Sequence, residues 1–317
     1  MWFLKKSKTT DNWKESKMTI QVTIGICMRN CEKDIDRIVE NVSGQDFPHE
    51  NIEVIFVDDG SEDNTLSSIL KSSPRLNMKC KVFHHKWRGL GYSRNVVLRK
   101  AEGKYIIWID DGIIISKNYI QQNVDFLEKN SNVGITKGVV DVYVGSNSIA
   151  TLENMISLVF YYRFAGKFTT KMPGTGGSVY RVNAARQVGG FDENIQGANE
   201  DTDISFRMLL AGWRVYIVHA KFSIIYNERF KNVWTKNLWY GYGSHFILHK
   251  HRDLGNILYK STPVAGFLEG IFCSYSAYKL TNKKIAFLLP LFLSIKRLAF
   301  FLGFVKSHFD SYGHSNT

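Results

Sequence analysis

Short apolar runs alternate with amphipathic stretches through the first part of the chain. Apolar runs rich in β-branched residues lie at 20–27, 52–57, 81–84 and 105–109, and stretches with helical spacing follow them at about 32–43, 63–70, 90–101 and 117–129. Such alternation is typical of a mostly parallel sheet with helices on both faces. The pattern therefore predicts an α/β fold in which each strand ends at a polar loop, where open sheets bind ligands.

The pattern is less regular in the second half of the chain. It predicts a β-rich stretch at 133–144, a loop through Pro173 and Gly174, a short strand at 178–180 and a helix at about 200–211. We divide the chain accordingly into a flexible N-terminal segment (1–18), a catalytic-type α/β domain (19–230) and a C-terminal helical segment (231–317).

Two apolar runs dominate the C-terminal segment, at 264–278 and 285–305. The second has 21 residues, and at about 1.5 Å per residue it is just long enough to cross a hydrocarbon core of about 30 Å. Pro290, Lys296 and Arg297 interrupt it, and each charge costs about 2.5–3.5 kcal/mol at the centre of a spanning helix. We therefore expect a hairpin lying in the membrane surface, the alternative being a helical pair packed on a soluble domain.

The charge and cysteine content add two expectations. A net charge of +12 favours an anionic partner, either nucleotide phosphates or lipid headgroups, and no nucleic-acid-binding motif accompanies it. The four cysteines form no CxxC pair, and the polar, lysine-rich N-terminal segment lacks the apolar stretch of a signal peptide. We expect a cytoplasmic protein that is peripheral or monotopic on the inner face of the cell membrane.

The first acidic motif follows the predicted strand at 52–57. Asp58 and Asp59 lead into Gly60 and Ser61 there. Carboxylates at a strand end can accept hydrogen bonds from a base or a sugar hydroxyl. The alternative is that Ser61 and Asp63 only cap the next helix.

The second acidic motif follows the predicted strand at 105–109. Asp110 and Asp111 are adjacent and precede Gly112. Neighbouring carboxylates repel each other unless a cation or hydrogen-bond donors neutralise them. Beside a diphosphate, such a pair is suited to Mg²⁺ or Mn²⁺, which take few protein carboxylates and complete their shell with water and phosphate oxygens.

The third acidic motif opens the predicted helix at 200–211. Glu200, Asp201 and Asp203 lie within its first turn, where acids are favoured electrostatically. Three acids in four positions exceed the need for capping. One of them could deprotonate a hydroxyl group, a task for which a positioned carboxylate suffices.

These three motifs, in this order, resemble those of family 2 glycosyltransferases with the GT-A fold. The resemblance covers about 21–227, and its matching pieces are 22–30 (VTIGICMRN), 57–61 (VDDGS), 91–95 (GYSRN), 101–105 (AEGKY), 110–111 (DD), 189–192 (GGFD) and 200–203 (EDTD). It implies a Rossmann-like mixed sheet flanked by helices, here with a C-terminal helical apolar extension.

The resemblance also implies the reaction and the roles of the residues. A sugar would pass from a nucleotide-sugar donor to a lipid-linked or glycan acceptor, with inversion and with Mn²⁺ or Mg²⁺ as cofactor. The implied donor-binding residues are Asp58 or Asp59, Arg94, Asn95 and Asp110; the metal ligand is Asp111; the base is Asp201; and Gly176, Gly177 and Glu200 lie near the donor sugar and the acceptor.

One departure from the family pattern concerns the metal. The usual DxD motif becomes Asp110-Asp111-Gly112, so that glycine stands at the metal position if Asp110 is the first acid. The other register makes Asp111 the ligand, and we prefer it because it retains the chemistry. The departure leaves open a degenerate, non-catalytic relative that binds nucleotide sugars or acts as a scaffold.

Two further classes of site are disfavoured by missing motifs. The turn at 27–31 (CMRNC) lacks the GxGxxG of a dinucleotide-binding dehydrogenase. The nine histidines show no HExxH pattern, and we expect His245, His249 and His251 to be surface or packing residues.

Overall fold

The computed structural model describes residues 20–141, 146–195, 198–226, 229–251 and 262–312. The predicted N-terminal segment and the end of the predicted β-rich stretch, 142–144, lie outside these ranges. Within them, nine strands form one sheet. They are β1 (Val22–Met28), β2 (Ile52–Asp59), β3 (Lys79–His85), β4 (Tyr105–Trp108), β5 (Ile113–Ile115), β6 (Val133–Val140), β7 (Lys167–Thr169), β8 (Ser178–Arg181) and β9 (Arg214–Ile224).

The sheet is mixed, with the order β3-β2-β1-β4-β8-β6-β9-β5 and with β7 paired to β9. The first four strands are parallel to one another, as expected for βαβ units. Strand β8 is antiparallel to both β4 and β6, whereas β6 and β9 are parallel. The antiparallel β8 therefore joins a parallel half-sheet to a second, mixed half.

The described helices flank this sheet and extend beyond it. They are α1 (Ile35–Ser43), α2 (Thr65–Ser72), α3 (Leu90–Lys100), α4 (Tyr119–Lys129), α5 (Ser148–Phe164), α6 (Val182–Gln187), α7 (Glu200–Leu210), α8 (Phe230–Lys250), α9 (Pro263–Thr281) and α10 (Leu289–Phe309), with a 3-10 turn at Lys284–Leu288 before α10. The sheet and its flanking helices confirm the expected GT-A architecture with a C-terminal helical extension.

Apolar side chains pack on both faces of the sheet. Every residue of β1 and β2 is buried, which explains why most of their positions are apolar instead of alternating with polar ones; the polar exceptions are Thr23, Glu53, Asp58 and Asp59. Gly25 in β1 permits close packing, because a Cβ there would lie 2.8 Å from Val97 and 2.9 Å from Trp108. Helix α3 can thus lie directly against the centre of the sheet.

The C-terminal helices pack closely on one another and on the domain. A separate apolar cluster joins α5 to them; it includes Leu152, Met155, Val233, Ala277, Leu289 and Phe292. Helices α8 and α10 cross at two glycines, Gly241 and Gly303. A Cβ on Gly241 would lie 1.9 Å from the Phe300 carbonyl oxygen, and a Cβ on Gly303 would lie 2.0 Å from the Leu238 carbonyl oxygen. Side chains other than hydrogen have no room at this crossing.

The two charges in the last apolar run face the protein. Lys296 lies 2.7 Å from Glu153 of α5, and Arg297 lies 2.8 Å from Glu269 of α9. The cost that they would impose in a bilayer is thereby avoided. Among the described residues one helical stretch, Lys284–Phe309, is long and apolar enough to cross a membrane by length and composition alone.

Candidate active site

The acidic motifs converge at the carboxyl edge of the parallel half-sheet. Asp58 and Asp59 end β2, and Asp110 follows β4, with β1 lying between these strands. Neighbouring strands are about 4.8 Å apart, so the two acidic ends lie roughly 10 Å from each other. This is the edge at which open α/β sheets bind ligands.

Asp58 and Asp59 are buried and hydrogen-bonded within this edge. Asp58 accepts hydrogen bonds from the Ser61 backbone N–H and hydroxyl, and its Oδ2 lies 2.7 Å from His84 Nδ1. Asp59 accepts from the backbone N–H groups of Arg88 at 2.8 Å and Gly89 at 3.0 Å, immediately before α3. Both acids therefore hold the loops beside the edge in place.

Arg94 links two of the acidic motifs. It lies in α3 with only 2% of its surface exposed, and its guanidinium donates hydrogen bonds to Glu200 and, at 3.5 Å, to Asp110. Burial opposes the positive charge, but Glu200, Asp110 and Asp201 outweigh it and raise the pKa of Arg94. Arg94 is a permanent cation between carboxylates from the end of β4 and the start of α7.

The glycine-rich loop between β7 and β8 fits against both acidic motifs. Gly177, with φ of +78°, donates its N–H to the Trp108 carbonyl oxygen at 2.7 Å. A Cβ on Gly176 would lie 2.7 Å from Asp110 Oδ2, and one on Gly174 would lie 3.4 Å from Asp201 Oδ2. The absence of a Cβ on Gly174 and Gly176 keeps the space beside the two carboxylates open.

Asp201 is held at the amino end of α7. Its carboxylate accepts from the backbone N–H groups of Thr202 at 2.7 Å and Thr175 at 3.2 Å. The preceding Asn199 has φ of +82°, a left-handed conformation that asparagine tolerates better than most residues. Its amide donates to the Tyr240 carbonyl oxygen at 3.2 Å and the Ser244 hydroxyl at 3.0 Å, which ties the start of α7 to α8.

Lys137 is a site residue that the sequence analysis missed. It lies in β6, is 3% exposed and donates a hydrogen bond to the Gly174 carbonyl oxygen at 2.8 Å. Burial lowers its pKa to about 8, against the attraction of Asp110 and Asp201. The sequence feature that could have revealed it is a lysine in the middle of a largely apolar strand. Burying a charge there is costly unless the charge is paired and hydrogen-bonded.

One cavity collects most of these side chains. It has a volume of about 620 Å³ and is lined by Arg94, Asp110, Lys137, Gly176, Glu200 and Asp201, among others. It continues to the C-terminal helices, where Lys236, Trp239 and Tyr240 of α8, Glu269 of α9 and Lys296 and Arg297 of α10 form its wall. A second space of about 600 Å³ adjoins it at Asp110 and is lined by Asp111, Gly112 and Arg37.

The remaining predicted site residues lie outside both spaces. Asn95 donates to the Phe191 carbonyl oxygen at 2.8 Å and to Glu193 at 2.9 Å, and it accepts from the Phe191 N–H at 2.8 Å. Its side chain therefore anchors the GGFD turn. Asp58, Asp59 and Gly177 line neither space.

The carboxylates around the cavity repel one another. Burial raises the pKa of Asp110, and Asp111 and Asp201 raise it further, against Arg94 and Lys137. Its side chain nevertheless remains 39% exposed to the cavity, so a ligand can reach it. Burial also raises the pKa of Glu200, which Arg94 opposes.

The donor set at the end of β4 is suited to a hard divalent cation. Asp110 and Asp111 both line the second space; the Asp111 side chain is exposed and accepts a 3.0 Å hydrogen bond from the Gly112 N–H. Arg37 donates to the Asp111 carbonyl oxygen, so the backbone of this turn is fixed while the carboxylate faces outwards. Oxygen ligands with room for water and phosphate are what Mg²⁺ and Mn²⁺ prefer.

Comparison with known proteins identifies the family of this site. Residues 23–189, just over half of the chain, match the sequence profile of glycosyl transferase family 2. The chain belongs to this family and is a glycosyltransferase enzyme.

Its curated relatives match it over part of their length. Poly(ribitol-phosphate) beta-N-acetylglucosaminyltransferase TarS of Staphylococcus aureus is 34% identical over 100 residues, which are 32% of this chain and 18% of that protein. An uncharacterized glycosyltransferase of Haemophilus influenzae is 31% identical over 125 residues, 39% of this chain and 38% of that one. The chain therefore spans less than two fifths of the length of these two relatives in the matched regions.

Solved structures share the fold across nearly the whole chain. The mannosyltransferase PcManGT from Pyrobaculum calidifontis, solved with GDP-Man and Mn²⁺, has a TM-score of 0.64 at 17% identity and covers 92% of this chain and 87% of its own. Residues 1–349 of S. aureus TarS, solved with UDP-GlcNAc, have a TM-score of 0.51 at 17% identity and cover 93% and 92%. These likenesses establish the GT-A fold.

The buried position of Lys137 predicts a pH dependence of stability. Its pKa of about 8 lies below the 10.5 of an ordinary lysine, so the unfolded chain binds more protons between these pH values. The free energy of unfolding should therefore rise with pH in that window, by about 1.4 kcal/mol per pH unit. Chemical denaturation in EDTA measures this effect. Between pH 7.5 and pH 9.5, the free energy of unfolding of wild type should rise by about 1–2 kcal/mol relative to that of Lys137→Met.

The matched control is Lys129→Met, at an exposed position on α4. Its stability difference from wild type should stay constant over the same pH range. A constant difference for Lys137→Met as well would contradict the lowered pKa.

Proposed function

We propose that this protein is an inverting glycosyltransferase that moves a sugar from a nucleotide-sugar donor to a lipid-linked acceptor at a membrane surface. The observation that carries the proposal is the cavity in which Arg94, Lys137, Asp110 and Asp201 meet and which runs on to the apolar C-terminal helices. A glycan acceptor is the second candidate, because the name of one relative, TarS, specifies a polymer, poly(ribitol-phosphate), as acceptor.

The donor diphosphate is proposed to lie between Arg94 and Lys137. Both cations are buried, and a charge-assisted hydrogen bond in such surroundings is stronger than one at the surface. The donor nucleoside would extend along the edge towards Asp58. Because Asp58 is itself buried against His84, we propose that it acts there through the half-exposed His84 ring as well as through its own carboxylate.

Asp201 is proposed to be the general base. The acceptor hydroxyl would give its proton to the Asp201 carboxylate while its oxygen forms a bond to the anomeric carbon. The bond from that carbon to the diphosphate oxygen breaks on the opposite side, and its electron pair leaves with the nucleoside diphosphate. Arg94 and Lys137 stabilise the negative charge that develops there.

Asp111, with Asp110 beside it, is proposed to hold Mn²⁺ or Mg²⁺. The carboxylate pair and the space beside it fit such an ion. When bound, the cation would add positive charge next to the leaving diphosphate. Asn95 is proposed to act on the donor side only by fixing the GGFD turn.

The acceptor end of the cavity supports a lipid-linked substrate. Lys236, Lys296 and Arg297 line this end together with Glu269, which pairs with Arg297, so hydrogen-bond donors that suit a phosphate-bearing acceptor are present there. Large apolar side chains on the outer faces of α9 and α10 are exposed nearby; they include Val264, Phe272, Tyr275, Leu291 and Phe309. We propose that this face lies in the cytoplasmic surface of the membrane. In this proposal, residues 19–230 form the catalytic domain and residues 231–317 form a separate membrane-associating segment.

Asp201→Asn tests the proposed reaction. The substitution keeps the shape and removes the basic group, so transfer should fall by about 10²–10⁴-fold while donor affinity stays within about threefold. Product formation is measured with a radiolabelled nucleotide sugar and a polyprenyl phosphate, and donor affinity by calorimetry. Asp125→Asn, on the exposed face of α4, is the control and should retain full activity.

Turnover of Asp201→Asn equal to that of wild type would remove Asp201 from the role of base. A product with the same anomeric configuration as the donor would contradict inversion. Transfer to soluble glycans with none to lipid phosphates would favour the second candidate acceptor.

The exposed face of α9 and α10 predicts binding to anionic vesicles. Removing the whole segment would open the cavity and the apolar cluster, so point changes are the sharper test. Phe272→Glu combined with Leu291→Glu should weaken binding more than tenfold, since burial of each side chain contributes about 1.5–3 kcal/mol. Vesicle flotation measures this.

The matched control is Leu70→Glu, which changes an equally exposed leucine of α2. It should bind vesicles as wild type does. If the double variant binds vesicles as tightly as wild type does, the membrane contact lies outside the exposed face of α9 and α10.

A further inference from the structure

Three histidines from two helices converge outside the cavity. His245 and His249 lie one turn apart on α8, and His308 lies in the last turn of α10. His245 Nε2 is 3.2 Å from His308 Nδ1 and 3.2 Å from His249 Nε2, and one ring nitrogen from each residue lies within 4.8 Å of the other two. The sequence pattern predicted that His245 and His249 are surface or packing residues and did not single out His308, which is 63 positions away from His245.

The hydrogen bond on the far side of His245 fixes its tautomer. His245 Nδ1 lies 3.0 Å from the Tyr312 carbonyl oxygen. Because a carbonyl oxygen can only accept, Nδ1 carries the hydrogen, and a neutral His245 ring turns the lone pair of Nε2 towards the other two histidines. Metal-binding histidines are oriented in this way, with the second nitrogen donating to a backbone carbonyl.

The spacing of the nitrogens matches that of ligands around one ion. A metal–nitrogen bond of about 2.0–2.1 Å in a tetrahedral shell separates two ligand nitrogens by roughly 3.3 Å. Two of the three separations are already 3.2 Å. The third separation is that between the ring nitrogens of His249 and His308. Both residues are exposed, so their rings can turn to shorten it.

Two ring nitrogens approach the same lone pair of His245. The single lone pair on His245 Nε2 can accept one well-aligned hydrogen bond, yet two ring nitrogens approach it at the same distance. A cation at the centre would use a lone pair from each ring. His245 is 1% exposed, so its ring cannot swing out to water instead.

We propose that His245, His249 and His308 form a Zn²⁺ site that fastens α10 to α8. Imidazole ligands suit Zn²⁺, and two histidines one turn apart on a helix are a known way to begin such a site. The site lies on the same two helices that cross at Gly241 and Gly303, and Ser244, beside His245, accepts a hydrogen bond from Asn199. The ion fixes the wall of the cavity without contacting the reacting groups.

Zinc binding by the full-length, untagged protein tests the site. The protein is stripped with chelator and titrated with Zn²⁺ by calorimetry in excess Mg²⁺, which occupies carboxylate sites and leaves histidine sites open. Wild type should bind one Zn²⁺ per chain, gain thermal stability, and give the visible spectrum of tetrahedral Co²⁺ when cobalt replaces zinc. His308→Ala and His249→Ala should each lower zinc affinity by roughly 100-fold or more.

Two controls keep the result interpretable. His219→Ala removes an exposed histidine of β9, and Asp111→Ala removes the proposed carboxylate ligand; both should bind Zn²⁺ as wild type does. His249 and His308 are both exposed, so the two alanine variants should fold. Circular dichroism checks this. Zinc affinity that is the same in His308→Ala, His249→Ala and wild type, or no zinc binding by wild type, overturns the proposal.

Discussion

The buried guanidinium of Arg94 is the interaction on which the site depends. It pairs with Glu200 and reaches Asp110, so one charge on α3 holds together the end of β4 and the start of α7. Removing one partner of a buried ion pair destabilises the folded protein by about 3–5 kcal/mol, because the other charge is left buried without compensation. The acidic residues that give the site its chemistry therefore also fix the relative positions of its walls.

The C-terminal helices complete the site as well as extending the domain. Asn199 is held in a left-handed conformation by hydrogen bonds to α8, and Asp201 follows two residues later. Lys296 and Arg297, which would be costly in a bilayer, pair with Glu153 and Glu269 instead. The outer faces of α9 and α10 are thus left apolar while their inner faces carry the charges of the cavity wall.

The sequence predicted the regular part of this structure well. The first four strands and helices follow simple periodic patterns, and the acidic motifs stand where such strands and helices end. Helix α5 was not predicted, because it packs on both the sheet and the C-terminal helices and so has no single apolar stripe. Strand β9 alternates buried and exposed residues over only part of its length, which made it hard to distinguish from a loop.

Lys137 at the active site and His308 outside it were missed for the same physical reason. Lys137 acts through Gly174, and His308 meets His245, across sequence separations of 37 and 63 residues. Periodicity reports which face of an element is buried and says nothing about which distant element covers it. Asp58 shows the same limit, since its motif was evident whereas its burial against His84 was not.

Calorimetric titration with UDP and GDP, in Mn²⁺ and in EDTA, tests most directly whether the carboxyl edge binds a donor diphosphate with a metal. For at least one nucleotide, wild type should bind at least tenfold more tightly in Mn²⁺ than in EDTA, a difference of about 1.4 kcal/mol. Asp111→Ala should lose this difference. Equal affinity with and without metal in wild type, or a metal effect that survives in Asp111→Ala, would contradict the account.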